Sequence, residues 1–503
     1  MGAMKILLLH DLMPARPLRR QLANQCFLLQ KYRPGTETVL HAAGDPVDDA
    51  LRHGDFDAIV LDVSFLCWRW VKPRSMFEAF LRDYAWVPAH PAVKLAFPQD
   101  DYDHQAVLDE WLSSWRVDVV FSPLAHLATV LYPKTAQTGQ IRPFLTGYVD
   151  DVDLAIAERG RLPIAERRLD LAYRARPLLP NFGELGRLKT RIAEVVAPAA
   201  RQAGLVVDVS TDPADTIFGD GWLNFLGSAR YVLGTPSGSS VIDAHGEIGA
   251  AIAAFTAAHP GASFDEITRA CVPPEATRHR MEALSPRVFE TALSGACQIL
   301  VRGEYGPLEP DRHYIPLEPD FSNLEAVIAR LGDHERAQRI ADDCFTLVTT
   351  ADELHYRHAA DALERAVAER WLARGDTERA QRITARQPVS TAEVVERALC
   401  ADIRGRQGLL GGLAGQLAGA TTGDPIQISR FNELGLVVAS RWQQLAGHAR
   451  AETARAEAER DRTAILLQQL AAVEARVEGY ENASIARLAR MMAKRLLRRL
   501  GLR

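Results

Sequence analysis

Four cationic side chains and one carboxylate stand where an anionic, hydroxyl-bearing ligand could be held. Arg174 and Arg176 follow an apolar run, Lys189 lies in the amphipathic stretch after them, and Arg287 opens a further helical segment. A diphosphate needs positive charge and N–H donors, which Arg forks, Lys and helix N-termini supply. Surface salt bridging is the competing role for each of these cations. Three residues after Arg287 comes Glu290. A carboxylate there can accept both hydroxyls of a ribose, each charge-assisted bond contributing roughly 1.5–3 kcal/mol. The run Ser237-Gly238-Ser239-Ser240 offers backbone amides and hydroxyls to phosphate or sugar, with a plain turn as its alternative. It has neither GxGxxG spacing nor a following GK[ST]. Asp243 and Glu247 follow closely enough to orient sugar hydroxyls.

A second group lies in the first third of the chain. His10 and Asp11 end the first apolar run, and Asp100, Asp101 and His104 stand together in PQDDYDH. A carboxylate or imidazole there can act as general base on a hydroxyl. A lone His in such a place also serves as a structural core group. The aromatics Trp68, Trp70, Phe77 and Tyr84 either stack on sugars or fill a core.

The elements that would carry these residues alternate between short apolar runs and helical periodicity. Lys5–Leu9, Ala58–Val63, Val93–Phe97 and Val117–Phe121 read as buried strands, with a helix over Gln105–Trp115. After about residue 168 the pattern repeats. Strands are expected at Leu169–Tyr173, Leu205–Val209, Tyr231–Leu233 and Gln298–Val301, and helices at Leu185–Val195 and Pro286–Ser294. Ser285 can cap the last helix, Pro286 suits its first position and Gly295 ends it. The fold class is therefore α/β, with two tandem Rossmann-like domains and a ligand cleft between them. The expected divisions are 1–167, 168–375 with return helices, a helical extension over 376–440, and a long helix over 441–503.

The stretch SPRVFETALSGACQILVRGEYGPLEPDRHYIPLEPDFSN, Ser285 to Asn323, resembles the second domain of bacterial CgeB-like, or spore-coat-type, glycosyltransferases. Its features are Arg287-x-Phe289-Glu290, then Gly295, Gly303-Glu304-Tyr305, His313-Tyr314-Ile315-Pro316-Leu317 and Asp320-Phe321-Ser322-Asn323. GTPSGSSVIDAHGEI, Tyr173-Arg174-Ala175-Arg176 with Gly186-Arg187-Leu188-Lys189, and Pro98-Gln99-Asp100-Asp101-Tyr102 resemble further family segments. The likeness spans about residues 90–370. It implies a GT-B fold and transfer of a sugar from a nucleotide-sugar donor to a surface-glycan or lipid-linked acceptor. It also implies that Glu290 holds the donor ribose. The donor-binding set is then Arg174, Arg176, Lys189, Ser237, Gly238, Ser239, Ser240, Asp243, Arg287 and Glu290. His10, Asp11, Asp100 and His104 fall on the acceptor side. Catalysis falls to Asp101 and to Glu282, which with Glu290 has the E-x7-E spacing of retaining GT-B enzymes. Asp101-Tyr102-Asp103 has Asp-x-Asp spacing but lies in the first domain, away from the implied donor site. Neither metal nor cofactor is expected. A non-catalytic scaffold and a nucleotide-sugar epimerase of the same fold are the alternatives.

Composition fits this reading. The 503 residues are 47% hydrophobic, and the net charge of −5 argues against a general nucleic-acid binder. The six cysteines lack zinc or disulfide-framework spacing, as in a reducing compartment. The apolar run Ile6–Leu9 is too short for a signal peptide, so a cytoplasmic site is expected. Leu466, Leu470, Val473, Val477 and Tyr480 form a heptad seam, for a coiled-coil homodimer or an intramolecular hairpin. Residues 484–503 hold seven basic and no acidic side chains. As an amphipathic helix they would lie on an anionic membrane surface or pack on protein.

Overall fold

The structure is a computed structural model that describes residues 4–12, 24–33, 35–157, 160–217 and 220–385. The coiled-coil seam and the basic tail lie outside the described residues.

Six strands form the first sheet: β1 (Lys5–His10), β2 (Glu37–Ala42), β3 (Ala58–Leu61), β4 (Val93–Ala96), β5 (Val119–Ser122) and β6 (Gln140–Pro143). Their order is β2-β1-β3-β4-β5-β6, and every pairing is parallel. β3, β4 and β5 are buried at every residue. A parallel sheet covered on both faces produces such unbroken apolar runs, which made these strands visible in the sequence. The edge strands β2 and β6 are half-exposed and carry Glu37, His41 and Arg142, so they gave no apolar run.

The second half repeats the plan with β7 (Leu169–Arg174), β8 (Val207–Ser210), β9 (Ala229–Gly234), β12 (Cys297–Val301) and β13 (Ile315–Leu317). The order is β13-β12-β9-β7-β8, again all parallel. β13 holds Pro316, which is tolerated because this strand is an edge. Two short strands, β10 (Ser237–Ser239) and β11 (Met281–Ala283), pair antiparallel beside this sheet. Helices Gly183–Gln202 and Pro286–Ser294 flank it. Gly295 ends the latter at φ 71, but the Ser285 side chain makes no capping hydrogen bond. Two Rossmann-like α/β units in tandem are thus the architecture, as the GT-B reading expects.

The chain crosses between the sheets twice. The crossing segments meet where Val149 N–H donates to the Leu354 carbonyl at 2.8 Å and Tyr356 N–H to the Val149 carbonyl at 3.1 Å. Beyond this point, helices Tyr356–Ala373 and Thr377–Thr384 pack on the first sheet. Leu363, Val367, Trp371 and Ile383 share a core with Ile6, Leu8, Val60 and Leu95. A division at residue 375 therefore falls between two helices of one core. Buried Asp118 joins the return helix to the sheet, accepting from Arg370 Nε at 3.1 Å and from Arg374 Nη2 at 2.8 Å on both oxygens. The same carboxylate also takes the Lys94 backbone N–H at 2.9 Å.

No helix of the described residues is long and apolar enough to cross a membrane.

Candidate functional site

In an open sheet of this order, the strand order reverses at one place, and ligands bind outside the carboxyl ends of the strands there. In the second sheet that place lies between β7 and β9. β7 ends on Tyr173-Arg174 and β9 on Gly234, followed by Thr235. The Tyr173 hydroxyl donates to the Lys189 carbonyl at 3.1 Å and lies within hydrogen-bonding reach of the Thr235 and Arg287 side chains. The Arg287 guanidinium sits 5.4 Å from the Tyr173 ring centroid and 5.1 Å from that of Trp222. The Trp222 indole N–H donates to Glu290 Oε2 at 2.7 Å. Helix Pro286–Ser294 supplies Arg287 and Glu290, one turn apart on one face, while Val288 and Phe289 face the core.

Lys189 comes from helix Gly183–Gln202, and its ammonium is close enough to feel the charge of Arg287. Burial is the larger cause lowering its ammonium pKa, and Arg287 adds to it, while Asp100 of the first unit opposes both. Lys189 and Arg287 thus repel each other electrostatically, and the Asp100 carboxylate attracts the Lys189 ammonium. A bound diphosphate would replace that repulsion with attraction.

The other expected donor groups fare differently. Arg174 is a corner post of the sheet. It donates to the carbonyls of Tyr173, Asp208 and Asp215 and to Asp208 Oδ1, and stacks 4.6 Å from the Phe225 centroid. Its donors are thus turned away from the ligand position. Arg176 is exposed, with Thr216 Oγ1 at 3.5 Å as its contact. The Ser237–Ser239 run is strand β10 and not a phosphate loop. Ser239 is fully buried, its hydroxyl bonded to the Val241 N–H and carbonyl, each at 2.9 Å. Gly238 has φ 109, and a Cβ would stand 1.8 Å from the Met281 carbonyl oxygen of β11. Ser240 instead donates its backbone N–H to the Phe182 carbonyl at 3.1 Å. Asp243 is buried in the contact between the units. Its N–H donates to the Tyr102 carbonyl, its carbonyl accepts from Gln105, and its carboxylate takes the Gly249 N–H at 2.8 Å.

Of the two expected catalytic carboxylates, neither stands free in the cleft. Asp101 has no exposed surface and is held by the hydroxyls of Ser122 and Tyr132. Burial raises its pKa, and those hydroxyls partly offset the rise. Such a group cannot reach an acceptor. Glu282 in β11 pairs with Arg280 and accepts the Glu304 N–H at 2.7 Å. It fixes the turn after β12 at Gly303, where a Cβ would meet Pro236 Cγ at 2.4 Å and Glu282 Oε2 at 2.7 Å.

On the acceptor side Asp100 is exposed, at φ 53. A non-glycine residue in that left-handed region costs on the order of 1–3 kcal/mol and persists where its surroundings impose it. Here the imposing group is Arg69, 1% exposed, which donates to the carbonyls of Leu66, Gln99, Asp100 and Asp103. Sequence reading missed Arg69, because nothing in one arginine among many marks it as buried. His104, at φ 54, bonds Asp103 Oδ1 at 2.8 Å, and its ring fills the space beside Gly246. It therefore seals the contact between the units. Asp11 stands at the first sheet's own switch point, its N–H on Ser64 Oγ at 2.9 Å. Burial raises its carboxyl pKa. The aromatic group is core: Phe77 and Tyr84 are buried and Trp68 stacks on Phe80 at 4.4 Å.

His10 accepts the Leu12 N–H on Nδ1 at 3.2 Å. Burial, with repulsion from His41, brings its pKa down to about 4 against the pull of Asp45. In the unfolded chain the same ring titrates near 6.5. Between these values the unfolded chain binds a proton that the native one does not. Stability therefore falls as pH drops from about 6.5 to about 4, by on the order of 3 kcal/mol from this group. His10→Gln is expected to flatten that part of the curve in urea unfolding. An identical acid loss in both proteins would reject the assignment.

Among the described residues no cluster of three or more His, Cys, Asp or Glu side chains could hold a metal ion.

No family model matches the sequence, and no curated protein matches it. Among solved structures, Anabaena HepE in complex with UDP and glucose aligns with TM-score 0.39 and 10% identity, over 73% of this chain and 100% of that one. Sucrose-phosphate synthase from Thermosynechococcus elongatus aligns with TM-score 0.39 and 11% identity, over 74% of this chain and 100% of its own. A glycosyltransferase from Rickettsia africae gives 0.36 and 8%, over 77% and 100%. The fold assignment rests on the two strand orders themselves and not on these likenesses.

Proposed function

We propose that this chain transfers a sugar from a nucleoside diphosphate sugar bound at the β7/β9 switch point. The observation that carries the reading is the pairing of Arg287 and Glu290 on one face of a helix, both against Trp222, with the Lys189 ammonium electrostatically coupled to Arg287. Lys189 and Arg287 match a diphosphate, and Glu290 matches the ribose hydroxyls three residues along the same helix face. Departure of the diphosphate leaves negative charge, which these cations would stabilise without a metal ion. Asp100, exposed and accepting from the Tyr102 hydroxyl at 2.5 Å, would take the acceptor hydroxyl's proton. The first sheet, with the return helix packed on it, would then bind the acceptor, and the second sheet the donor. The acceptor class is a surface-glycan or lipid-linked saccharide, as the likeness of Ser285–Asn323 implies.

Calorimetry against UDP, GDP, dTDP and CMP, with and without magnesium, tests the reading. One nucleotide should bind selectively in the absence of metal. The sign of the linked proton is a second check. Lys189 starts with a lowered pKa, and a diphosphate raises it, so binding above the lowered value must take up protons. Uptake is read from the buffer dependence of the binding heat on the alkaline side, as pH is raised toward the ordinary lysine value of 10.5. Absence of binding by any of the four nucleotides would reject the function, and proton release would reject the role of Lys189.

A further inference from the structure

The carboxylate and guanidinium that would read the donor's ribose and phosphates both touch a residue that carries no charge. Helix Asp220–Ser228 runs between β8 and β9 and presents Trp222, half-buried, to helix Pro286–Ser294. The indole N–H donates to Glu290 Oε2, while its ring lies 5.1 Å from the Arg287 guanidinium. Phe225, one turn along, stacks behind it with centroids 5.8 Å apart. Arg174 rests on Phe225 and is tied in turn to Asp208 and to three backbone carbonyls. The line Arg174–Phe225–Trp222 therefore runs from a fixed corner of the sheet to the carboxylate.

We infer that Trp222 is the positioning residue of the donor site, setting Glu290 for the ribose hydroxyls while its ring supports Arg287 beside the phosphates. The inference rests on the donor-site reading and deepens it. An indole N–H is a donor only, so it occupies one oxygen of Glu290 without competing for the ligand's own donors. A carboxylate held in this way has its orientation set before a ligand arrives. A free glutamate would have to be ordered by the ligand, at a cost in affinity. The consequence is a preference for ribose over 2′-deoxyribose that depends on an atom not touching the sugar.

The experiment measures affinities of UDP, GDP and ADP, their 2′-deoxy forms and inorganic pyrophosphate by calorimetry. The proteins are wild type, Glu290→Ala and Trp222→Phe (W222F). Phenylalanine keeps an aromatic face for Arg287 and removes the N–H. The wild type should prefer the ribonucleotide by at least about tenfold, the worth of one hydrogen bond to a charged group. In Glu290→Ala the preference should be lost. In W222F it should fall below about threefold, while pyrophosphate affinity stays within about threefold of wild type, which shows the cation site still folded. A wild type that binds pyrophosphate and nucleotides without sugar preference overturns the inference but leaves the anion site. A W222F protein that retains the full preference overturns it alone. A W222F protein that loses pyrophosphate binding together with the preference also overturns it, since Trp222 would then be structural for the whole site. A wild type that binds no nucleoside diphosphate at all removes the functional reading beneath it.

Discussion

Arg287→Ala is expected to weaken nucleoside diphosphate binding by about 2–3 kcal/mol, roughly thirty- to 150-fold, with the fold intact. The guanidinium is only partly buried and rests on the faces of Tyr173 and Trp222, so its loss opens no core. What disappears is a charge-assisted contact to the phosphates. The size of the effect should depend on Lys189. In the free protein Arg287 helps to lower the Lys189 pKa, which means the two repel. Removing Arg287 relieves that repulsion, so the remaining lysine becomes a better cation. The double variant with Lys189→Ala should therefore lose more than the two single losses added together. A strictly additive cycle would place the two cations on separate ligands. Unchanged affinity in Arg287→Ala would remove this residue from the site.

The largest effect on stability is expected far from the cleft, at Asp118. Its buried carboxylate collects Arg370, Arg374 and the Lys94 N–H. Asp118→Ala leaves two guanidinium groups facing a gap and one backbone donor unpaired. Breaking a buried ion pair from one side costs about 3–5 kcal/mol. The partner arginines keep some solvent contact, with side chains 26% and 33% exposed, so about 2–4 kcal/mol is the expected loss. Urea unfolding followed by tryptophan fluorescence should show a lower midpoint, with nucleotide affinity at low urea unchanged. A variant as stable as wild type would mean that the apolar contacts of Trp371 and Leu363, with the other polar ties such as Trp371 Nε1 to the Asp57 carbonyl, hold the return helix without Asp118.

How much of this could be read beforehand follows from what each residue answers to. β3, β4 and β5 were legible because strands covered on both faces must be apolar throughout. Helix Pro286–Ser294 was legible from its terminal Pro and Gly. β2 and β6 were not, since these edge strands are half-exposed and carry polar residues, and β13, though buried, is three residues long and holds a proline. Among the candidate site residues, Arg287 and Glu290 had been singled out, and the structure sets both against Trp222. Asp101 had been preferred to Asp100, yet the chain turns Asp101 inward to Ser122 and leaves Asp100 exposed. Two adjacent carboxylates are alike in sequence and opposite in direction.

The sequence alone determined the repeated strand and helix periodicity, and hence two parallel sheets, because periodicity is set locally by which faces are covered. It also named the cations and the carboxylate whose types suit a nucleotide-sugar. Tertiary structure alone decided which of them have their donors or acceptors already engaged. Arg174 is spent on Asp208, Ser239 on Val241 and Glu282 on Arg280 and Glu304, partners between 2 and 34 residues away for the first two and 22 for the farther of the last pair. It also brought in Trp222 and Arg69, whose roles come wholly from what they touch. The physical reason is that a hydrogen bond or a desolvated charge is a property of a pair, and the pairing is set only when distant segments have packed.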